Sequence, residues 1–205
     1  LRYIGSKNLP VILSTGMSSL AEIEISLNAL KEGGATDITL LHCTTSYPCP
    51  YDSVNLRAMD TIKNAFGLEV GYSDHTVGIE VPVAAVARGA IVIEKHFTLD
   101  KNLSGPDHMA STEPEEFRRM VDAIRNIELS IGTGMKQPTN EERNISKVVL
   151  KRIVAYKNIP CGKIIEEEDL TVKRNDRGLS ADKWDLVIGT IAHRNYQIDE
   201  GIDFK

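Results

Sequence analysis

The chain contains two short histidine-bearing stretches, Gly-Tyr-Ser-Asp-His-Thr at residues 71–76 and Ile-Glu-Lys-His-Phe at residues 93–97. Each histidine follows an apolar run, so His75 and His96 are each predicted to lie near the end of a strand. Parallel neighbouring strands lie about 4.8 Å apart and need a crossover of about a dozen residues or more. The two histidines are 21 positions apart. This spacing predicts that their imidazoles converge at one edge of a parallel sheet.

The surrounding sequence alternates short apolar runs with amphipathic helical segments from residue 10 to about residue 132. This alternation is typical of an α/β fold in which helices connect the strands of a parallel sheet. Four such strands are predicted, at residues 10–14, 38–43, 68–73 and 90–96.

Two helices carry the sequence signature of a capping box, in which a hydroxyl residue precedes an acidic residue by three positions. Ser19 and Glu22 are predicted to begin the first long helix, and Thr112 and Glu115 the last. The apolar residues that follow each box recur at helical spacing, so both helices are expected to bury one face.

The helical periodicity ends about two thirds of the way along the chain, where residues 133–146 contain Gly134 and Pro138 in a polar run without a period. We predict a first domain over residues 1–132, a linker over 133–146 and a second domain over 147–205. The second domain has short apolar runs between turn residues, which favours a small β-rich fold.

The composition argues against two classes of partner. A net charge of −5 and an isoelectric point near 5.6 provide no basic surface for nucleic acid, and no apolar run is long enough to span a membrane. Cys43, Cys49 and Cys161 form no Cys-x-x-Cys pair and are odd in number. Unpaired cysteines fit a reducing compartment, so we expect a cytoplasmic location.

Side chains alternate across a strand, so Ser73 shares a face with His75, and Glu94 shares a face with His96. Each histidine alone is equally compatible with an ordinary hydrogen-bonded residue at a strand end. Together they place two imidazoles, a carboxylate and a hydroxyl at the carboxyl ends of two strands, where parallel barrels carry their catalytic residues. The pattern therefore favours a divalent metal site.

These motifs, with others along the chain, resemble the sialic acid synthases, including the N-acetylneuraminate and legionaminate types. The matching motifs, in family order, are Ser-Thr-Gly-Met at 14–17, His-Cys-Thr at 42–44, Tyr-Pro at 47–48, Pro-Tyr at 50–51, Gly-Tyr-Ser-Asp-His-Thr at 71–76, Glu-Lys-His-Phe-Thr at 94–98 and Gly-Pro-Asp-His at 105–108. Residues 170–174 and 184–189 resemble the C-terminal SAF, or antifreeze-like, domain of that family.

The resemblance implies the C-terminal half of a (β/α)8 TIM barrel followed by a small β-rich SAF domain of the β-clip type. It also implies a transferase that condenses phosphoenolpyruvate with N-acetylmannosamine or a related 2-acetamido sugar. The product would be a nine-carbon sialic-type acid, with release of phosphate.

The resemblance also implies roles for individual residues. His75 and His96 would bind Mn²⁺ or Mg²⁺, and Glu94 would position phosphoenolpyruvate and the attacking water. Five residues would bind substrate: Ser14, Tyr47, Ser73, Asp107 and Arg174. From the residues alone, simpler alternatives stay open, since Ser14 could satisfy backbone at a strand end, Tyr47 could be a rim aromatic and Asp107 could begin a turn.

Arg174 has a special place in the family, because the corresponding arginine reaches from the SAF domain of one subunit into the barrel of another. A domain-swapped homodimer is therefore implied. Here Arg174 is followed by Asn175 and Asp176 instead of the usual Pro-Gly, and Thr45 stands where some members have asparagine. Both departures are compatible with a legionaminic-type substrate.

Four βα units are half of an eight-stranded barrel, and the chain begins at Leu1 without methionine. We therefore expect a fragment of the synthase that is inactive by itself, because the family's upstream lysines and carboxylate have no counterpart here. Two alternatives remain open: another phosphoenolpyruvate-dependent aldol-type synthase that takes a sugar phosphate, and a non-catalytic sugar-binding or assembly module.

Overall fold

The computed structural model describes residues 1–204, which divide between residues 134 and 135 into two compact units. The first unit contains four parallel strands in the order β1-β2-β3-β4. The strands are β1 (Val11–Ser14), β2 (Ile38–Cys43), β3 (Glu69–Asp74) and β4 (Ile93–Lys95). The helices are α1 (Arg2–Gly5), α2 (Leu20–Gly33), α3 (Ala58–Phe66), α4 (Glu80–Ala87) and α5 (Pro114–Ile131). The predicted alternation of strand and helix is confirmed in this unit.

The sheet separates an apolar face from a polar one. Register pairs Leu40 with Val70 on the face that packs against the helices, where both side chains are buried. Cys43, Ser73 and Glu94 lie in register on the opposite face, which we call the inner face. Burial of the helix-facing side chains fixes the register, since a slip of one residue would turn them to the inner face.

The first capping box is confirmed and the last is wrong. Ser19 accepts a hydrogen bond from the Glu22 N–H, and the Glu22 carboxylate accepts one from the Ser19 N–H. Helix α5 instead begins after Glu113, with Pro114 in its first turn and no side-chain cap. Thr112 is engaged elsewhere, because its N–H donates to the carbonyl of His96 at 2.8 Å.

The fourth strand is shorter than predicted, covering three residues of the seven expected from 90 to 96. Its first predicted residues still bond to β3, since the Ile91 N–H donates to Val70 and the Val92 carbonyl accepts from Tyr72. At its other end, the His96 carbonyl turns to Thr112 instead of β3. The histidine therefore lies just beyond the strand.

The second unit contains α6 (Asn140–Val149), β5 (Lys151–Ala155), β6 (Leu170–Arg174) and α7 (Trp184–Val187). Strands β5 and β6 are antiparallel, and isolated bridges such as Ile159 with Tyr196 extend this small β-rich fold. Helix α6 covers part of the predicted linker, because Thr139 and Glu142 form a capping box that begins this helix, and the linker bounds stay a prediction. The box stabilises the helix start locally, without a buried face.

No helix within residues 1–204 combines the length and the apolar character needed to cross a membrane. The expectations about nucleic acid and cellular location stay predictions.

Candidate active site

The predicted polar face at the ends of β3 and β4 is present. Ser73 and Glu94 are register partners, and the Ser73 hydroxyl donates to Glu94 Oε1 at 2.6 Å. Ser73 is buried, whereas Glu94 is exposed on the inner face. The hydrogen bond therefore fixes one carboxylate oxygen and leaves the other for a ligand.

The two histidines converge as the spacing predicts. Their ring centroids lie 5.3 Å apart with the rings nearly perpendicular, at 89°. The Tyr47 ring lies 4.2 Å from that of His75 and 5.4 Å from that of His96, measured between centroids. Tyr47 thus packs against both imidazoles and restricts their rotation.

The loop after β2 forms hydrogen bonds with His75 and with the residues that follow it. Nδ1 of His75 lies 2.8 Å from the Thr44 carbonyl, and the His75 carbonyl accepts from the Cys49 N–H at 2.7 Å. The Tyr51 hydroxyl donates to the Val77 carbonyl at 2.9 Å. These three bonds connect one loop to both the ring and the backbone of the histidine segment.

The arrangement fits a divalent cation bound through two imidazoles. A carbonyl oxygen only accepts hydrogen bonds, so Nδ1 of His75 donates to Thr44, and in a neutral ring the lone pair for a ligand is then on Nε2. Such outer hydrogen bonds commonly orient metal-binding histidines. Across the 204 described residues, no group of three or more His, Cys, Asp or Glu side chains is arranged around a common metal position.

Asp107 lies near this pair, with Oδ2 at 4.0 Å from Nδ1 of His96 and a side chain that is 62% exposed. That distance is too long for a hydrogen bond, so the carboxylate of Asp107 is not fixed by His96. The next residue, His108, has a different partner, because its Nδ1 lies 2.8 Å from the Thr98 hydroxyl. His108 therefore shapes the loop that carries Asp107.

Ser14 and Arg174 are both exposed, each within its own unit. Ser14 is exposed on the inner face at the end of β1, where its hydroxyl lies 3.6 Å from the sulfur of Cys43. Arg174 is exposed at the end of β6 in the second unit. Within the first unit, Tyr47 and Asp107 lie near the two histidines, and Ser73 binds Glu94.

A buried ion pair, which precedes the two histidines on β3 and β4, was not predicted from the sequence. Lys95 Nζ lies 2.5 Å from Asp74 Oδ2, and the two side chains are 2% and 0% exposed. Both residues sit in motifs that carry the site, on the strand face opposite Ser73 and Glu94. Strand alternation would have revealed this pair, since two opposite charges fall on one otherwise apolar face.

Tyr72 lies on the same buried face as that ion pair. Its hydroxyl has no hydrogen-bond partner within residues 1–204. Burial, reinforced by the charge of Asp74, raises the pKa of Tyr72 far above its usual value. The phenol therefore stays neutral and belongs to the core.

A cavity in the first unit lies beside other residues than the two site histidines. A cavity of about 360 Å³ is lined by His42, Arg57 and Thr61 among others, and its lining includes neither site histidine. His42 itself is half-buried and lies 2.8 Å, through Nε2, from the Val54 carbonyl, as expected of a structural histidine. The candidate site is thus defined by the chemistry of its side chains.

Comparison with known proteins agrees with this geometry. Residues 1–136 match the model of the NeuB family, and residues 152–205 match that of the SAF domain. The chain is 52% identical to N,N'-diacetyllegionaminic acid synthase of Campylobacter jejuni, over 98% of this chain and 60% of that protein. It is 43% identical to the enzyme of the same name from Legionella pneumophila, over 93% of this chain and 54% of that protein.

Among solved structures, the chain resembles the N-acetylneuraminic acid synthetase of Leptospira borgpetersenii, solved in complex with citrate. The identity is 39% and the TM-score 0.64, over 70% of this chain and 50% of that one. The half-barrel and SAF architecture is thereby confirmed. The chain spans 60% and 54% of the length of the two curated relatives.

Proposed function

Because the chain belongs to the NeuB family, we propose that it contributes to an enzyme that condenses phosphoenolpyruvate with an acetamido sugar, giving a nine-carbon acid and phosphate. One observation carries the proposal. Two imidazoles with ring centroids 5.3 Å apart and a hydrogen-bonded Ser73–Glu94 pair lie at the carboxyl ends of adjacent parallel strands. Because the curated relatives are longer than this chain, the activity is proposed for the complete protein.

We propose further that the product is N,N'-diacetyllegionaminic acid. Two relatives, at 52% and 43% identity, carry that product in their names. Phosphoenolpyruvate contains no nitrogen, so a product with two N-acetyl groups requires an acceptor sugar that already carries both. Thr45 stands where some members that use N-acetylmannosamine carry asparagine, and Asn175-Asp176 replaces the family's common Pro-Gly after Arg174, which supports a different acceptor.

The reaction forms one carbon–carbon bond, and at the neighbouring carbon it replaces the carbon–oxygen bond to phosphate with one to the oxygen of water. The enol carbon of phosphoenolpyruvate attacks the aldehyde carbon of the open-chain sugar, water adds to the neighbouring carbon, and phosphate leaves from that carbon. A divalent cation, Mn²⁺ or Mg²⁺, would supply Lewis-acid polarisation of the aldehyde. His75 and His96 would hold that cation through the nitrogen atoms not engaged by the protein.

Glu94 would orient the water and phosphoenolpyruvate. The Ser73 hydroxyl binds one of its carboxylate oxygens, so the other oxygen is free to accept a hydrogen bond from the attacking water. Ser73 itself would contact phosphoenolpyruvate only if its hydroxyl exchanged partners.

The remaining substrate contacts are proposed by position. Tyr47, against both imidazoles, and Asp107, at the rim, would contact the sugar, and Ser14 would bind phosphoenolpyruvate from β1. Exposed Arg174 would bind the acetamido group from a partner subunit in a domain-swapped homodimer.

Assays of the protein from the complete gene test the proposal, using phosphoenolpyruvate, Mn²⁺ and either a mono- or a diacetamido sugar. We expect phosphate release with the diacetamido sugar, and a loss of at least about 100-fold in His75→Ala and in His96→Ala. His42→Asn is the matched control, because His42 is a strand histidine bonded to Val54 and its substitution should preserve turnover.

Unchanged turnover in both site variants would exclude the histidines as metal ligands. Turnover with a sugar phosphate alone would indicate the other aldol-type synthase. Mn²⁺-independent sugar binding without turnover would indicate a binding module.

A further inference from the structure

We propose that the buried pair of Asp74 and Lys95 sets the distance between the two imidazoles, which makes both residues positioning residues of the cation site. The inference rests on the proposed function in one respect, since it takes His75 and His96 to share one cation. Neither charged side chain faces that cation, because both lie on the strand face opposite the site.

The pair is the last direct connection between the two strands before the histidines. Asp74 and Lys95 are the final register partners of β3 and β4, and each histidine is the first residue after its strand. Beyond this point the backbones separate, since the His75 carbonyl accepts from Cys49 and the His96 carbonyl from Thr112. The separation of the histidine backbones is therefore decided at the ion pair.

The ammonium of Lys95 also holds both neighbours of His75. Its Nζ donates to Asp74 Oδ2 at 2.5 Å and to the Thr76 carbonyl at 2.7 Å. Asp74 Oδ1 in turn accepts from the Thr76 N–H at 3.0 Å and from its hydroxyl at 2.8 Å. Lys95 thus binds both Asp74 and Thr76, the residues directly before and after His75.

Stability alone does not account for such a pair. Removing two charges from water costs several kcal/mol per ion, and well-packed apolar residues of similar size are often as stable or more so. Apolar packing, however, has no preferred direction, whereas these hydrogen bonds specify distances and angles between two strands. The structure therefore assigns the pair a geometric role, exerted through the backbone of His75.

The test measures Mn²⁺ binding to the complete protein by electron paramagnetic resonance, together with unfolding by denaturant. The variants are Asp74→Asn, Lys95→Met and the apolar double variant Asp74→Leu/Lys95→Met. We expect each to bind Mn²⁺ about 10-fold more weakly and to change the spectrum of the bound ion. The double variant should retain its folding midpoint, since it leaves no buried charge unpaired.

Asp169→Asn is the matched control, because Asp169 is a fully buried carboxylate bound by lysines in the other unit. It should lower stability without changing Mn²⁺ affinity or spectrum.

A second measurement needs no metal. In the metal-free protein labelled with ¹⁵N-histidine, the Nδ1–H resonance of His75 reports its bond to the Thr44 carbonyl. We expect this resonance to shift in the variants of the pair and to stay fixed in Asp169→Asn.

The outcomes separate the two proposals. Failure of the wild-type protein to bind Mn²⁺ would remove the cation site of the proposed function, while a shifted His75 resonance would still support the positioning role. Wild-type affinity, spectrum and His75 resonance in the double variant would overturn the inference. Loss of metal binding only in variants that have also unfolded would overturn it too, since the pair would then serve stability.

Discussion

Each unit of the molecule buries one carboxylate completely, Asp74 in the parallel sheet and Asp169 beside the antiparallel one, and the two are bonded differently. Asp74 pairs with a lysine of the neighbouring strand, 21 residues away. Asp169 is bound by Lys163 at 2.5 and 2.6 Å, by Lys157 at 2.9 Å and by the Glu166 N–H at 2.9 Å, all within one connecting segment.

The difference shows which segments of the chain each buried carboxylate connects. The partners of Asp169 all precede it closely in sequence, so this carboxylate organises the turn that leads into β6. Burial by itself would raise the pKa of Asp169, but hydrogen bonds from Lys163, Glu166 and Lys157 outweigh it and lower the pKa to about 2. Asp74 instead joins two strands whose next residues are the site histidines.

Asp169→Asn gives the largest expected effect and separates the two roles. The amide removes the buried charge that two lysines and the Glu166 N–H bind, so we expect the second unit to lose about 3 kcal/mol of stability. Denaturant unfolding, followed by the fluorescence of the single tryptophan Trp184 in that unit, measures this loss. A loss under about 1 kcal/mol would show that the turn holds without the carboxylate.

Lowering the pH should remove the contribution of Asp169 to stability without a mutation. The pKa of Asp169 is lower in the folded state than its ordinary value of 3.8, so its contribution is complete above about pH 4 and disappears as the pH falls toward about 2. The lost stability should be about 2 kcal/mol. Unfolding curves between pH 5 and about 2 measure it, and the Asp169→Asn variant should lack this component of the pH dependence. An identical acid response in the variant would contradict the assignment.

The two capping boxes provide a smaller and more local comparison. Ser19→Ala removes the cap of α2, which buries Ile23, Leu27 and Leu30, so we expect a loss of about 1 kcal/mol in the cooperative unfolding of the first unit. Thr139→Ala removes the same type of cap from α6, which buries no residue. There the loss should appear as faster amide hydrogen exchange within α6, with little change in global stability. Equal global losses would mean that α6 unfolds together with its unit.

The smallest effect is expected where an ion pair is exposed. Lys173 and Asp199 approach to 2.5 Å, but their side chains are 50% and 55% exposed. Solvent screens such pairs, so Lys173→Gln should change stability by less than about 0.5 kcal/mol in chemical unfolding. A loss comparable to that of Asp169→Asn would show that proximity outweighs burial in this unit.

The elements predicted best are those whose signals are local. The boundaries of β2 match the prediction at both ends, and Ser19 with Glu22 begins α2 as expected. Local signals misled where a residue had another partner. Thr112 has the sequence of a cap, yet its backbone bonds to His96 and the helix begins after Glu113.

The candidate site was predictable in part for the same reason. Alternation along a strand placed Ser73 and Glu94 on one face, and their hydrogen bond confirms it. The position of Tyr47 against both imidazoles was not predictable, because it depends on the path of a loop between strands.

The sequence by itself determined the order of strands and helices, the polar ends of β3 and β4 and the family of the chain, because these depend on short-range periodicity and on motifs. Only the tertiary structure decided that one lysine of β4 binds both sides of His75 and that the imidazoles stand 5.3 Å apart. The physical reason is that such contacts join residues distant in sequence, and the sheet register and the paths of its loops bring them together.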